Sequence, residues 1–316
     1  MPLFIDYPTL ALTTGIVVVI LALAATVYLI LQKRKPSQGL KKIGSRIWSW
    51  WILAGVFILA LIFDRAFMLL FLAFVSYLAL KEYLSIVPTR RADRRILFLA
   101  YLIIPVQFFI IWQNWYLLFL SLIPVFIFVV IPLGMALSGE PHGFLKAHGT
   151  LSWGLMATVF SLGHLAYFFV LPDVVNPVAG GSGLFLFVVS LTLLNDAAQF
   201  GLGKTVGGPK IAPKISTTRT WAGLIGGTIS TGFIAWLVAP MLTPFTAIEA
   251  IGAGMLIALG GVIGYLIVSA IKGDLQLKDR GTMVMGRGGV LNRIDSLIFT
   301  GPIFFHFVFF VYVTGL

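Results

Sequence analysis

The chain of 316 residues has no cysteine and little charge. Without cysteine there is no disulfide, no thiolate metal site and no cysteine nucleophile, and redox usage gives no reading of the compartment. Charged residues make up 10% of the chain, and acids are the scarcer kind, with 11 Asp and Glu against 22 Lys and Arg. A mean hydropathy of +1.02 with 59% hydrophobic residues excludes a water-soluble domain, because so much apolar surface cannot be buried inside one. Any chemistry must therefore rest on oxygen ligands, lysine, arginine or histidine.

What fills the chain is apolar helix. Ten stretches are apolar enough, at about 17–25 residues per crossing, to span a bilayer: 9–32, 47–63, 66–80, 96–113, 115–134, 150–171, 182–194, 221–239, 247–271 and 297–314, the second, third and seventh being short. The expected fold class is all-α, a polytopic membrane protein. Of the 22 Lys and Arg, 21 fall on alternate loops, and only Arg65 lies opposite. By the positive-inside rule those loops face the cytoplasm and both termini face out. The first span has no basic n-region, so it reads as an N-out anchor and not a cleaved signal. The basic strip 33–46 after it is a topology determinant or an attractor of anionic headgroups.

From Trp48 to Pro132 the sequence reads as scaffold and lipid contact. Glu140, His142, Lys146 and His148 form a polar loop, and two histidines six apart with one acid are thin grounds for a metal site. His164 and His306 lie inside spans; each is a functional candidate or is satisfied by one hydrogen bond between helices.

The last third differs. After Asn195 and Asp196 a glycine-rich stretch carries Gly201, Gly203, Gly207 and Gly208 with Lys204, Lys210, Lys214 and Arg219. Glycines let backbone N–H groups approach an anion and the cations neutralise phosphate oxygens, although a cytoplasmic loop can also be basic for topology alone. A second cluster sets Lys272, Asp274, Lys278, Asp279, Arg280, Arg287, Arg293 and Asp295 within 24 residues. Small residues in 221–239 and 247–271, such as Gly223, Gly227, Gly254 and Gly261, predict close packing of those spans, which brings both charged stretches to one cytoplasmic pocket.

The pattern Asp196-x6-Gly203-Lys204-x5-Lys210-x2-Pro213-Lys214-x-Ser216-x2-Arg219-Thr220-x2-Gly223, followed by Lys272-x5-Lys278-Asp279 and Gly286-x-Gly288-Gly289-x3-Arg293-x-Asp295-Ser296, resembles the phosphatidate cytidylyltransferases, or CDP-diacylglycerol synthases, over about 195–302. The resemblance implies nine or ten helices, often as a homodimer, in the inner membrane. It implies Mg²⁺-dependent attack by the phosphate of phosphatidic acid on the α-phosphorus of CTP, giving CDP-diacylglycerol and pyrophosphate. The partners are then membrane lipid and CTP, with no nucleic acid. Residues 1–194 become scaffold and 195–316 carry the site, within one continuous membrane domain.

By the same resemblance Asp295, Lys272 and Asp279 are the catalytic candidates, with Asp295 also the metal ligand. Substrate phosphates fall to Asp196, Lys204, Lys210, Lys214, Ser216, Arg219, Lys278, Arg287, Gly288, Gly289 and Arg293. The family's metal-binding carboxylates map onto Tyr265, Asn292 and Asp295, and only Asp295 is acidic. Two readings follow. In one the protein is a working cytidylyltransferase whose Mg²⁺ is held by Asp295 with Asp279 or Asp196. In the other it is a catalytically impaired homologue that binds lipid or nucleotide phosphate as a partner or regulator. A transporter is a third class, disfavoured because ionisable residues other than His164 and His306 sit at loops or span ends.

Overall fold

In hydrocarbon every backbone N–H and C=O needs a partner inside the protein, and a chain this apolar meets that need with helices. The computed structural model describes residues 65–275 and 289–314 continuously, with helical positions scattered between 12 and 32 and at 51 and 55. The expected spans 9–32 and 47–63 therefore lie largely outside the described residues. Among the described residues seven helices are long and apolar enough to cross a membrane. They are α1 (Arg65–Ile86), α2 (Arg94–Trp112), α3 (Tyr116–Leu137), α4 (Phe144–Val170), α5 (Gly180–Thr205), α6 (Trp221–Leu242) and α7 (Ala247–Asp274). A short α8 (Val290–Ile294) leads into the apolar α9 (Leu297–Val313). Among the described residues there is no sheet, only one isolated bridge between Lys210 and Thr220.

Two boundaries differ from those expected. The span predicted at 182–194 continues as helix to Thr205, so the division at residue 194 falls inside α5, and Lys204 rides on a helix. Polarity does not end this helix because Asn195 and Gln199 turn inward and are hydrogen bonded there. The span predicted at 150–171 begins at Phe144, which places Lys146 and His148 on α4. His148 is buried and shares a hydrogen bond with Ser152 at 3.3 Å, whereas exposed His142 pairs with Glu140 at 3.1 Å. The two histidines do not converge. His164 is buried in an aromatic cage of Phe119, Phe160 and Phe305, with Nδ1 at 2.8 Å from the Phe160 carbonyl and its ring 5.1 Å from that of His306.

Burial orders the bundle. α4 has 78% of its most apolar stretch inside, against 17% for α3, so α4 is central and α3 faces outward. α5, α6, α7 and α9 pack side by side. Capping fixes two of their starts: Thr220 Oγ1 accepts the Gly223 N–H at 3.1 Å, and Thr246 with Glu249 forms a capping box at the start of α7. The Tyr312 hydroxyl donates to Glu249 at 2.7 Å and ties the end of α9 to the same place.

Lipid tails are as apolar as leucine, so these helices are held by close packing. A Cβ on Gly254 of α7 would lie 2.6 Å from the Ala235 Cβ, 2.9 Å from the Gly232 Cα and 2.9 Å from the Thr231 carbonyl oxygen, all on α6. Gly252, two residues earlier and about 200° round the helix, has nothing within 4 Å. Gly254→Ala is expected to destabilise the α6–α7 pair by about 1–3 kcal/mol, and Gly252→Ala to be neutral or to stabilise by up to ~1 kcal/mol. Denaturant unfolding of both variants in detergent measures the difference; equal effects would mean that backbone approach does not set this packing.

Candidate active site

The site begins as a polar stripe on an apolar helix. Thr192, Asn195, Asp196 and Gln199 recur at three and four residues along α5 and so share one face. Gln199 Nε2 donates to Asn195 Oδ1 at 2.9 Å, Thr231 Oγ1 of α6 donates to the same oxygen at 3.2 Å, and Asn195 Nδ2 donates to the Ala258 backbone carbonyl of α7 at 3.3 Å. This buried network locks three helices together. It also fixes the azimuth of Asp196 at the helix's polar end.

The connection from α5 to α6 turns back over this end. Gly207 and Gly208 have φ of 76° and 94°, a left-handed conformation that favours glycine. The Ile211 N–H then bonds the Arg219 carbonyl at 3.1 Å and the Trp221 N–H bonds the Pro209 carbonyl at 3.1 Å, closing the loop. Closure directs Arg219 inward, where Nη2 donates to Asp196 Oδ1 at 2.6 Å and Nη1 to Gln199 Oε1 at 2.9 Å. Its guanidinium lies over the Tyr265 ring at 4.2 Å from the centroid, a cation–π contact. The Tyr265 hydroxyl meets Thr218 Oγ1 at 2.9 Å and accepts from Ser216 Oγ at 3.4 Å.

From the other side comes the turn between α8 and α9. Ser296 Oγ donates to Asp196 Oδ2 at 2.7 Å, and the Ser296 N–H donates to Asp295 Oδ1 at 2.8 Å. Gly264 of α7 admits this turn, since a Cβ there would lie 3.2 Å from the Ser296 Cα. A residue distant in sequence fixes where α8 starts: Glu82 of α1 accepts the Leu291 N–H at 3.1 Å and occupies the space that a Gly289 side chain would need.

Two carboxylates thus approach one another. Asp295 is 9% exposed, and burial first, the Asp196 charge second, push its carboxyl up to about 6; the Ser296 N–H, Lys272 and Arg219 oppose the rise. Mg²⁺ takes one or two protein carboxylates with waters and substrate phosphates, and a like-charged carboxylate pair with spare lone pairs suits it. Asp196 and Asp295 therefore fit the cation that the sequence implies. Tyr265, at one of the expected carboxylate positions, instead serves as a platform for Arg219. Among the described residues no group of three or more His, Asp or Glu converges.

The sequence-derived candidates separate into three sets. Asp196, Ser216, Arg219, Asp295 and, through its field on Asp295, Lys272 come together. Lys204, Lys210, Lys214 and Arg293 are exposed, and Gly289 packs against Glu82. Lys278, Asp279, Arg287, Gly288 and the Asn292 side chain lie outside the described residues. Asn195, Gln199 and Glu82 escaped the sequence reading. The polar stripe on α5 was a usable signal for the first two, whereas Glu82 acts across 209 residues of sequence and leaves no local trace.

Helical spans with a polar, carboxylate-bearing site at one end define a membrane-embedded class of protein, and comparison specifies it. The Cytidylyltransferase family model matches residues 44–311, beyond the 195–302 that carried the resemblance, and the chain belongs to that family. It is 38% identical over 289 residues to the uncharacterized protein YnbB of Escherichia coli (strain K12), covering 92% of this chain and 95% of that one. It is 40% identical over 131 residues to a phosphatidate cytidylyltransferase of Rickettsia typhi, which covers 39% of this chain and 56% of the relative. The corresponding match to a Brucella suis protein of that name is 31% over 127 residues, or 40% and 47%. The chain thus aligns with about half the length of these named relatives.

The raised Asp295 carboxyl gives a pH expectation. Its folded-state value lies above the ordinary carboxylate range, so the folded protein holds the proton more tightly, and this group's contribution to stability falls as pH rises from about 4 through 6. Isotope-edited infrared spectra are expected to lose a protonated carboxyl band near pH 6. In Asp196→Asn the loss is expected at lower pH, because one of the two causes that raise it has gone. A band that disappears near pH 4 in both proteins would place the two carboxylates apart.

Proposed function

We propose that this protein transfers a cytidylyl group from CTP to the phosphate of phosphatidic acid, releasing pyrophosphate and leaving CDP-diacylglycerol in the membrane. The carrying observation is the convergence of Asp196 and Asp295 on the Ser296 turn, with Lys272 and Arg219 acting on the same site. In the transfer a phosphate oxygen of the lipid forms a bond to the α-phosphorus of CTP, and the bond from that phosphorus to the bridging oxygen of the β-phosphate breaks. Both reactants are polyanions, so the protein's work is to hold them together in line and to neutralise charge.

The assignments follow from position. Asp196 and Asp295 would hold Mg²⁺, which would supply charge screening of the phosphates and polarisation of the phosphoryl group. Lys272 and Arg293 take phosphates near the carboxylates, while Lys204, Lys210 and Lys214 on the outer rim gather the nucleotide from solution. Arg219 is already engaged by Asp196, Gln199 and the Tyr265 ring, so it acts by aiming the Asp196 carboxylate. The Lys and Arg distribution supports placing these basic loops on the cytoplasmic face of the inner membrane, where CTP is present.

Purified protein with phosphatidic acid, labelled CTP and Mg²⁺ is expected to form CDP-diacylglycerol. Asp295→Asn is expected to lower kcat by about a hundredfold or more, the scale of a lost metal contact worth several kcal/mol. Absence of product with any divalent ion would overturn the reading. A second reading, binding without turnover, is favoured by one observation: both Asp196 oxygens are engaged within the protein. Tyr265→Asp separates the two. If the ring is a working platform, the variant loses activity about tenfold as a cation–π contact of 1–2 kcal/mol disappears. If chemistry has been lost from this position, the variant gains activity.

A further inference from the structure

Between α3, α4 and α9 lies a half-open cavity of about 650 Å³. Its walls are hydrocarbon and aromatic, with Ile127, Trp153, Met156, Phe299 and Pro302 among them. The two lining hydroxyls are turned away: Ser161 donates to the Met156 carbonyl at 2.9 Å and Ser152 shares a hydrogen with His148. Two of the three walls widen from α-helical to π-helical turns at this level, over Leu122–Ile127 in α3 and Met156–Phe160 in α4. Such turns are uncommon and gather at functional sites.

The cavity adjoins the carboxylates through the third wall. α9 begins two residues after Asp295, and its first two turns supply Ile298, Phe299, Pro302 and Ile303 to the lining. Phe299 has two neighbourhoods, since a Cβ on Gly264 would lie 3.2 Å from its Cδ2 while the same ring faces the cavity. An apolar space that starts where a charged site ends suits an amphiphile with an anionic head. Its volume lies within the roughly 300–1,000 Å³ range of ligand cavities.

We infer that this cavity binds an acyl chain of the lipid phosphate whose head lies at Asp196 and Asp295. The inference rests on the proposed reaction for the identity of the head, but it concerns binding and is testable without turnover. Gly149 of α4 lines the cavity with nothing within 4 Å of a built Cβ, so a larger side chain there enters empty space and leaves the helix intact.

The experiment uses the full chain in vesicles doped with phosphatidic acid that carries a diazirine in mid-chain. After irradiation, adducts are expected to concentrate at 123–131, 152–161 and 298–303, and unlabelled phosphatidic acid should compete for them. Gly149→Leu should reduce these adducts by about tenfold, the scale of displacing two buried methylenes, while adducts on the outward residues Ile229 and Phe233 of α6 stay unchanged. Labelling spread evenly over outward surfaces overturns the inference. Equal labelling by a diazirine diacylglycerol overturns it as well, because the crevice then takes any lipid. Short-range cross-links from the cavity to 9–32 or 47–63 would assign the space to the chain's own segment and overturn it too. Cavity adducts without CDP-lipid formation would leave the acyl site standing and sink the reaction; turnover without cavity adducts would do the reverse.

Discussion

The site depends on one buried cation. An arginine 7% exposed beside a hydrocarbon phase must have its charge and its donors met inside the protein, or the cost of desolvation would exclude it. Arg219 meets this condition three times over, with a carboxylate, an amide and an aromatic face. Each partner sits on a different part of the chain or a different turn of helix. Asp196 and Gln199 come from α5, Tyr265 from α7, and Arg219 itself from the loop that precedes α6. Satisfying the arginine therefore fixes the relative placement of the elements that make the site, and the Ser296 bond to Asp196 extends that placement to α9.

This arrangement needs backbones closer than ordinary side chains allow. Gly203, Gly223 and Gly227 bring α5 against α6, Gly254 brings α7 against α6, and Gly264 admits the 295–296 turn. Without a hydrophobic drive between helices in lipid, contact and interhelical hydrogen bonds hold the bundle, and both require this proximity. The glycines therefore shape the site from a distance, by deciding how near Asp196 and Asp295 come.

Much of this architecture was legible in the sequence because the membrane limits the choices. Apolar length located the spans from 66 onward, and small-residue spacing paired α6 with α7. Spaced motifs named Asp196, Ser216, Arg219, Lys272 and Asp295, which do meet. The end of α5 was misplaced because polar residues near a glycine-rich stretch look like a loop; their burial depends on partners in α6 and α7 that no local window contains. The Glu82 bond to the start of α8 was invisible for the same reason. Motif spacing marked Tyr265 as a position where the resemblance expects an acid, and its ring lies under the Arg219 guanidinium.

A metal ion is held by charge and geometry, and neither depends on which helix supplies the carboxylate. Here Asp196 on α5 stands close enough to add to the burial that raises the Asp295 carboxyl. Tyr265 contributes to that pair at one remove: its ring and hydroxyl hold the loop and the guanidinium that orient Asp196. Were an acid placed at 265 without other change, Arg219 would have two carboxylates to choose between, and its hold on Asp196 would weaken. The tyrosine is thus matched to the aspartate on α5, and reading either alone misjudges what the site can do.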